Sequence, residues 1–305
     1  MSTRKSGAED IGPWVSGVWL PIVTPFLHGA VDFKSYEGLL NYYLSQGITG
    51  IIPLGTTGES PTIEDDEAEA LVDVTVTVVD GRAPIYVGVG GNSTAKVIKS
   101  LQRFERYSFA GILSVCPYYN RPSDEGMREH FAHVAECTDR KILLYNIPYR
   151  TGVNLSNDAV LALSEIPNIV GIKDSCANLG QSIDLLKRRP SAFSVLTGED
   201  ALFYTMLAHY ANGGILASAH FRPGAFLDIY ERMTANDHRG ARAIWSTVEA
   251  IVPLFFRETN PAPIKYWLWR KGLIQSPECR LPLAKVSTPL ARELDCLASH
   301  DACTQ

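Results

Sequence analysis

The sequence predicts an α/β protein, a (β/α)8 TIM barrel with a C-terminal helical extension. Short apolar runs rich in β-branched residues recur along the 305-residue chain, and a stretch with helical periodicity follows each run. Most runs are apolar along their whole length, which is typical of parallel strands that are covered on both faces. Eight such strand and helix units in one chain favour a closed barrel over an open sheet.

The individual elements follow from local pattern. Residues 35–44 place their large apolar side chains on one face of a predicted helix, and this helix ends at Gly47. Residues 63–67 put acidic side chains in a first helical turn, where the macrodipole favours them. The predicted strands are residues 18–24, 48–54, 84–90, 110–116, 141–147, 169–174, 194–198 and 214–218.

We divide the chain into an N-terminal tail (residues 1–14), the barrel (15–223) and a C-terminal helical region packed on the barrel (224–305). The last region is too short and too continuous with the barrel to form a separate enzyme domain. We expect it to contribute helical packing or an oligomer surface. Its large anchor side chains are Trp245, Phe255, Phe256, Trp267 and Trp269.

Charge and hydropathy exclude several classes of partner. The net charge is −5 and the basic residues are scattered, so the chain offers no basic field for nucleic acid. No apolar stretch approaches the roughly 20 residues that a membrane helix needs, and the N-terminus lacks an apolar signal core. The sequence therefore predicts a cytoplasmic protein that has neither nucleic acid nor a membrane as a partner.

The cysteine and histidine patterns predict neither disulfides nor a metal site. The six cysteines show no CxxC spacing, so reduced thiols are expected. His130 and His133 are the only close histidine pair, and a two-ligand metal site there is the less favoured interpretation, because no third ligand is evident.

The reactive groups of such a barrel project from the carboxyl ends of its strands. Lys173 closes the apolar strand 169–174 and is predicted to point into the barrel mouth, where desolvation lowers the pKa of an amine. A neutral amine adds to a ketone and forms an imine, which makes the adjacent carbon acidic. A lone strand-end lysine more often reaches solvent or pairs with a neighbour such as Asp174, so the hypothesis depends on the surrounding residues.

Polar residues also end the neighbouring strands. Tyr145 ends the strand beside Lys173 and is a candidate for moving protons during imine chemistry. Thr56 and Thr57 lie on a glycine-flanked turn whose N–H groups and hydroxyls suit a small carboxylate. Arg150 would hold a second carboxylate bidentately. Each residue alone is explained by ordinary loop or packing roles, but together at strand ends they favour a catalytic site.

Four motifs occur in an order seen in one superfamily: GTTGES at 55–60, YYNRP at 118–122, YNIP at 145–148 and GIKD at 171–174. The chain resembles the superfamily of dihydrodipicolinate synthases and N-acetylneuraminate lyases from about residue 15 to about residue 297. The resemblance implies a Schiff-base-forming class I aldolase-type lyase. It also implies a keto acid and an aldehyde as partners, and no cofactor beyond a covalent lysine imine with pyruvate.

The resemblance also implies roles for single residues. Lys173 would form the imine with pyruvate, and Tyr145 would be the acid and base. Thr57 and Tyr119 would complete the proton relay. Tyr119 would enter the active site of a neighbouring subunit, which implies a homotetramer built from tight dimers. Thr56, together with Thr57, would bind the pyruvate carboxylate.

Two further positions bear on the substrate. Leu216 matches a family position whose backbone contacts pyruvate. Arg150 matches an arginine with which the synthases grip the carboxylate of aspartate semialdehyde, and which sugar-acid lyases generally lack. His220 lies in a segment where synthases more usually have a Thr-Ala-Asn ending, so a different pocket rim is expected.

The predicted function is condensation of pyruvate with L-aspartate 4-semialdehyde, in lysine and diaminopimelate biosynthesis. The alternative is a related aldolase or dehydratase that acts on a 2-keto-3-deoxy sugar acid or on 4-hydroxy-2-oxoglutarate. A catalytically silent barrel that binds a metabolite is a third hypothesis, which the intact set of site residues disfavours.

The resemblance includes a feedback site for lysine. Asn92 and Tyr118 match that site, but Asp65, Ala68 and Lys96 replace the His, His and Glu of the lysine-sensitive bacterial pattern. A cation at residue 96 would repel the ammonium group of the effector. The sequence therefore predicts no inhibition by lysine.

Overall fold

The computed structural model describes residues 15–302, in which eight parallel strands form one sheet. The ten strands in the described residues are β1 Gly17–Leu20, β2 Phe26–Leu27, β3 Ala30–Val31, β4 Gly50–Ile51, β5 Tyr86–Gly88, β6 Gly111–Val115, β7 Lys141–Asn146, β8 Ile169–Asp174, β9 Ser194–Thr197 and β10 Gly213–Ile215. Strands β2 and β3 pair with each other in a separate hairpin, and the other eight form the parallel sheet. The sheet order is β4-β1-β10-β9-β8-β7-β6-β5, and a parallel bridge between Ile51 and Ile85 joins its two ends. The predicted barrel is confirmed. The predicted tail, residues 1–14, lies outside the described residues.

Helices surround the barrel and follow its strands in the chain. They are α1 Phe33–Ser45, α2 Asp65–Val79, α3 Thr94–Arg103, α4 Asp124–Glu136, α5 Pro148–Thr151, α6 Asn157–Leu163, α7 Leu179–Arg188, α8 Phe203–Ala208, α9 Pro223–Thr234, α10 His238–Val248, α11 Ala262–Arg270 and α12 Thr288–Ala302. Helix α2 begins with a capping box between Glu64 and Glu67, and its first turn is acidic, as the sequence predicts.

All eight predicted strand segments contain or overlap a barrel strand, and residues 169–174 match β8 in full. Several observed strands are shorter than predicted. Pro21, Pro53 and Pro84 fall inside three of the predicted segments, and each lies outside the observed strand. A proline has no N–H to donate to the strand ladder, so the regular pairing stops beside it.

The sequence pattern does not predict the antiparallel hairpin of β2 and β3. Its connection is His28-Gly29, with positive φ angles of 53° and 83°, rather than the Asn-Gly or Asp-Gly pair that marks most two-residue turns. The hairpin follows β1 and places Phe26 in the protein interior, where this side chain is 0% exposed.

The apolar side chains form two layers. An outer layer lies between strands and helices, and an inner cluster fills the barrel. In the inner cluster, Trp19 and Tyr86 pack edge to face with ring centroids 5.2 Å apart. The inner cluster consists of Val15, Trp19, Ile52, Tyr86, Leu113, Leu143, Tyr145, Ile147, Val170, Leu196 and Ile215.

An irregularity in β8 determines which way Lys173 points. Ile142 of β7 pairs with Ile169, and Leu143 pairs with Gly171, so Val170 is an extra residue in β8. Ile169 and Ile172 both pack in the outer layer, although strict alternation would place residues three apart on opposite faces. The extra residue shifts the alternation by one position and brings Lys173 to the inner face.

The helices that follow the barrel pack on it through aromatic side chains. Trp267 of α11 meets Phe221 edge to face, with ring centroids 4.9 Å apart, and also contacts Phe255. Trp245 of α10 stacks on Tyr204. Of the five expected anchors, Trp245, Phe255 and Trp267 are buried, whereas Phe256 and Trp269 are 38% and 37% exposed.

Candidate active site

A pocket of about 360 Å³ opens at the carboxyl ends of the barrel strands. Thr56, Tyr145 and Arg150 line it on the side of the predicted site, and it extends past Tyr118 to Asp65 at the start of α2. The strand ends therefore bring together residues that are up to 97 positions apart in the sequence, from Leu54 to Thr151, as expected for a barrel active site.

Lys173 lies beside this pocket with only 6% of its surface exposed. The strand register places it directly opposite Tyr145, and its Nζ is 4.2 Å from the centroid of the tyrosine ring. Burial lowers the pKa of Lys173 to about 8; the charge of Asp200 raises this pKa and that of Arg150 lowers it. A neutral, nucleophilic amine is therefore available near neutral pH.

Gly198, directly after β9, leaves the space that the Lys173 side chain occupies. A Cβ atom at this position would lie 2.3 Å from the Cε of Lys173 and 2.2 Å from the Oγ of Ser175. Any larger residue would displace the amine, so the sequence Thr197-Gly198 shapes the site through a missing side chain.

Tyr145 ends β7 and is 5% exposed. Burial raises its pKa to about 12, and the nearby hydroxyl of Thr56 acts in the opposite direction. The phenol is therefore protonated at neutral pH and able to donate a proton. Thr56 stands in the short turn Thr56–Gly58 after β4, which brings the two hydroxyl groups together across the pocket.

Thr57 occupies a different environment from Thr56. It is 3% exposed, and its Oγ1 accepts a hydrogen bond of 2.9 Å from the Nδ2 of Asn260. Its hydroxyl faces the C-terminal region, whereas Thr56 lines the pocket. The hydroxyl that acts on the pKa of Tyr145 therefore belongs to Thr56, and the relay role predicted for Thr57 stays a prediction.

Arg150 is at the mouth of the pocket on the short helix α5, and it is exposed. Its Nη2 makes one long hydrogen bond of 3.5 Å to the carbonyl oxygen of Asn260. The guanidinium group therefore keeps most of its donors available for an anion entering from solvent.

Tyr119 points away from the pocket of its own chain. It is 88% exposed, and its φ of 74° is uncommon for a tyrosine. Its backbone N–H donates to the carbonyl of Thr151, which ties the loop to the end of α5. The neighbouring Tyr118 lines the pocket instead.

Leu216 directs its side chain to the outer layer, and its N–H donates to the carbonyl of Trp19 at 3.0 Å. Ile215, one residue earlier, belongs to the inner cluster together with Tyr145. The alternation of the strand therefore places the side chain of Ile215 on the face of the barrel that carries the site, while the backbone contact predicted at Leu216 stays a prediction.

Two acidic residues that were not predicted from the sequence act on the charge of the amine. Asp200 is 2% exposed, and its Oδ2 accepts hydrogen bonds from the N–H and the Oγ of Ser218. Burial raises the pKa of Asp200 to about 6, and burial also raises the pKa of Glu199. Their position was a usable signal, because Glu199-Asp200 directly follows the predicted strand 194–198.

His220, which departs from the usual synthase pattern, has a structural role here. Its Nδ1 bonds to the carbonyl of Ala217, and its Nε2 accepts the N–H of Val23 at 3.4 Å. Burial lowers its pKa to about 4, so it remains neutral. Its ring also packs edge to face on Tyr43, in the outer layer. It is not among the residues that line the described pocket.

Three residues of the family's lysine site, Asp65, Ala68 and Tyr118, line the pocket. Both terminal guanidinium nitrogens of Arg103 bond the carboxylate of Asp65. Lys96 is on α3. The carbonyl of Asn92 accepts a hydrogen bond from the side chain of Asn120.

Residues 15–302 contain neither a metal-ligand cluster nor a membrane-spanning helix. No group of three or more His, Cys, Asp and Glu side chains with the spacing of a metal site occurs there. His130 is buried and bonds to Thr94, whereas His133 bonds to the carbonyl of Glu129. In the same range, none of the helices has the length and apolar character needed to cross a membrane.

Comparison with known proteins agrees with this architecture. The model of the dihydrodipicolinate synthetase family matches residues 14–300. 4-Hydroxy-tetrahydrodipicolinate synthase 2 of Clostridium acetobutylicum is 47% identical over 92% of this chain and 98% of its own length. The dihydrodipicolinate synthase of Aquifex aeolicus has a solved structure with a TM-score of 0.91 and 34% identity, over 94% of this chain and 98% of that one. The corresponding enzyme of Methylacidiphilum fumariolicum SolV also has a TM-score of 0.91, with 37% identity over 93% and 95%.

The fold, the buried strand-end lysine and these relatives define the protein as a barrel enzyme of the aldolase-type lyases. Within that class, the chain belongs to the dihydrodipicolinate synthetase family.

Proposed function

We propose that the chain condenses pyruvate with L-aspartate 4-semialdehyde through an imine on Lys173. The observation that carries the proposal is the buried amine of Lys173, whose pKa is lowered to about 8 while the protonated phenol of Tyr145 lies against it. Relatives named 4-hydroxy-tetrahydrodipicolinate synthase support this choice of reaction.

The reaction is balanced without a further cofactor. The Nζ lone pair adds to the C2 carbonyl of pyruvate, and the oxygen leaves as water to give a protonated imine. Loss of a C3 proton gives an enamine, and its C3 then bonds to the aldehyde carbon of the semialdehyde. The π electrons of the aldehyde C=O move to its oxygen, which takes up a proton to become a hydroxyl. The amino group of the semialdehyde displaces Nζ at C2, which closes the ring and returns the free Lys173.

The proton transfers are assigned to Tyr145 and Thr56. Tyr145 donates to the departing oxygen and accepts the proton back, and the Thr56 hydroxyl relays it. We assign the outer end of this relay to Tyr119 of a second subunit, since this side chain is 88% exposed and turned away from its own pocket. The exposed tyrosine supports a tight dimer, and we propose a homotetramer built from two such dimers.

Two sets of donors are assigned to the substrate carboxylates. The N–H groups and the Thr56 hydroxyl of the turn after β4 bind the pyruvate carboxylate, and Thr57 supports the turn through Asn260. Arg150 binds the carboxylate of the semialdehyde at the pocket mouth. The backbone contact to pyruvate predicted at Leu216 is assigned to Ile215, which lies on the inner face.

The test is borohydride trapping with pyruvate, followed by intact mass. We expect one pyruvate-derived adduct on the wild-type chain and none on Lys173→Ala. An adduct that survives the substitution would exclude Lys173 as the imine residue, and no adduct at all would favour a silent metabolite-binding barrel. Coupled assays with aspartate semialdehyde, a 2-keto-3-deoxy sugar acid and 4-hydroxy-2-oxoglutarate then separate the synthase from the alternative aldolases.

A further inference from the structure

A buried ion pair joins the C-terminal region to the turn that carries Thr56. Glu59, at the end of this turn, bonds through its carboxylate to the Nζ of Lys265 on α11, 206 residues away. Both side chains are 0% exposed. The proposed mechanism uses neither residue, so a buried pair of this kind needs another explanation.

Every charged atom of the pair has a partner. The second carboxylate oxygen of Glu59 accepts the backbone N–H of Arg280 at 3.0 Å. Lys265 also donates to the carbonyl of Glu278 at 2.8 Å, and its Nζ lies 4.0 Å from the centroid of the Phe26 ring. A fully satisfied buried network permits few alternative arrangements, so it restrains the backbone to which it is attached.

The turn that receives this restraint has an unfavourable backbone conformation. Leu54 and Glu59 bracket it, and both have a φ of 56°, which residues other than glycine rarely adopt. Such a conformation persists only where the surrounding structure enforces it. Thr56 stands between the two strained residues, so the position of its hydroxyl depends on what holds the turn.

A second contact from the same part of the chain reaches the turn. Asn260, just before α11, is 7% exposed and donates to the Oγ1 of Thr57. The two contacts meet the turn on either side of Gly58, where a Cβ atom would lie 3.2 Å from the carbonyl oxygen of Ile22. The turn is thus confined between the barrel on one side and α11 on the other.

From these contacts we infer that Glu59 and Lys265 are positioning residues, which hold the turn so that the Thr56 hydroxyl meets Tyr145. The catalytic consequence rests on the proposed function, whereas the restraint on the turn does not. The region after the barrel is then part of the device that places the proton relay.

The test removes both charges together in Glu59→Gln/Lys265→Met, because either single change leaves a buried charge unpaired. The matched control is Arg270→Met. Arg270 is on α11, like Lys265, and the change breaks its 2.7 Å ion pair with Asp295 of α12 without affecting the turn. Two measurements are made, namely hydrogen exchange of the amides at residues 55–60 and the rate of pyruvate imine trapping. Each variant is also combined with Thr56→Val.

We expect exchange at residues 55–60 to rise at least tenfold in the double variant and to stay unchanged in Arg270→Met. Imine trapping should fall about tenfold or more, as for other small misplacements of catalytic groups. In the Thr56→Val background, loss of the ion pair should lower the rate of imine trapping by less than about a further twofold, because the pair acts through the Thr56 hydroxyl.

Unchanged exchange at the turn, or a loss of trapping that adds in full to that of Thr56→Val, would overturn the positioning role. If the double variant does not fold, Lys265→Arg keeps the cation with a different reach and is judged by the same two criteria. A wild-type chain that forms no pyruvate adduct would defeat the proposed function, while exchange at residues 55–60 would still decide the role of the pair.

Discussion

Tyr145 and Lys173 face each other across β7 and β8, with the lysine Nζ 4.2 Å from the centroid of the tyrosine ring. The face of an aromatic ring favours the charged ammonium form, whereas burial favours the neutral amine. Burial dominates, since the pKa of Lys173 is lowered to about 8. The same burial keeps the phenol protonated, so a nucleophile and an acid coexist a few ångströms apart near neutral pH.

The pH dependence of imine formation follows from this arrangement. Below its pKa, Lys173 is an ammonium ion without a lone pair, so the trapping rate should rise with pH through a midpoint near 8. The negative charge of Asp200 raises that pKa. Asp200→Asn keeps the oxygen that accepts from Ser218 and should move the midpoint to lower pH.

Rates of trapping across the pH range, measured for wild type and Asp200→Asn, check this prediction. Glu199→Gln is the comparison, because its charge acts on Lys173 in the same direction but more weakly. A midpoint that stays in place or moves upward in Asp200→Asn would contradict the assigned electrostatics.

Gly198→Ala should impair catalysis while leaving the fold intact. The added methyl would lie 2.3 Å from the Cε of Lys173, so the flexible end of the lysine has to move and the amine leaves its position beside Tyr145. We expect the rate of imine trapping to fall about a hundredfold, the usual cost of misplacing a reacting group by about 1 Å.

Gly224→Ala is the matched control for that change. Apart from the adjacent residues and the backbone of its own helix, no described atom lies within 4 Å of a Cβ at Gly224, which is in the first turn of α9. Stability should therefore be unchanged or slightly improved. The check is to measure the rate of imine trapping, read by intact mass, and the melting temperature of both variants. Equal trapping by Gly198→Ala and wild type would show that the amine has room that the structure does not provide.

Arg150→Met should separate the two substrates. The guanidinium is exposed at the pocket mouth and, among residues 15–302, makes a single long hydrogen bond, so its loss should leave the fold intact. We expect the KM for aspartate semialdehyde to rise about tenfold or more, the worth of a charge-assisted bidentate bond, with little change in the KM for pyruvate.

Steady-state kinetics with each substrate varied in turn give the result. Arg150→Lys keeps the charge but not the paired donors, and should fall between wild type and Arg150→Met. A larger effect on pyruvate than on the semialdehyde would assign Arg150 to the other carboxylate.

Lysine should not inhibit this enzyme at physiological concentrations. The carboxylate of Asp65 is engaged by Arg103, and Lys96 replaces the Glu that would meet the effector ammonium in the lysine-sensitive pattern. Activity measured against rising lysine concentration is the check. Half-inhibition below about 1 mM, which corresponds to about 4 kcal/mol of binding, would falsify the prediction.

Local sequence pattern was sufficient for the barrel and for much of the site. Parallel strands buried on both faces leave long apolar runs, and the polar residues that end them gather at one rim whatever the loops do. For this reason sequence pattern alone predicts a candidate site that includes Lys173, Tyr145, Thr56 and Arg150. The acidic residues Asp200 and Glu199 followed the same rule but were not selected.

The tertiary structure decided the direction in which each of these residues faces. An extra residue at Val170 brings Lys173 to the inner face of the barrel. The turn after β4 directs Thr56 into the pocket and Thr57 towards Asn260 of the C-terminal region. The partnership of Glu59 with Lys265 is also invisible in sequence, because it spans the whole barrel. Composition and periodicity record which residues are buried or stand at a strand end. The direction in which a side chain points depends on register, bulges and turns, which arise only when distant segments pack against one another.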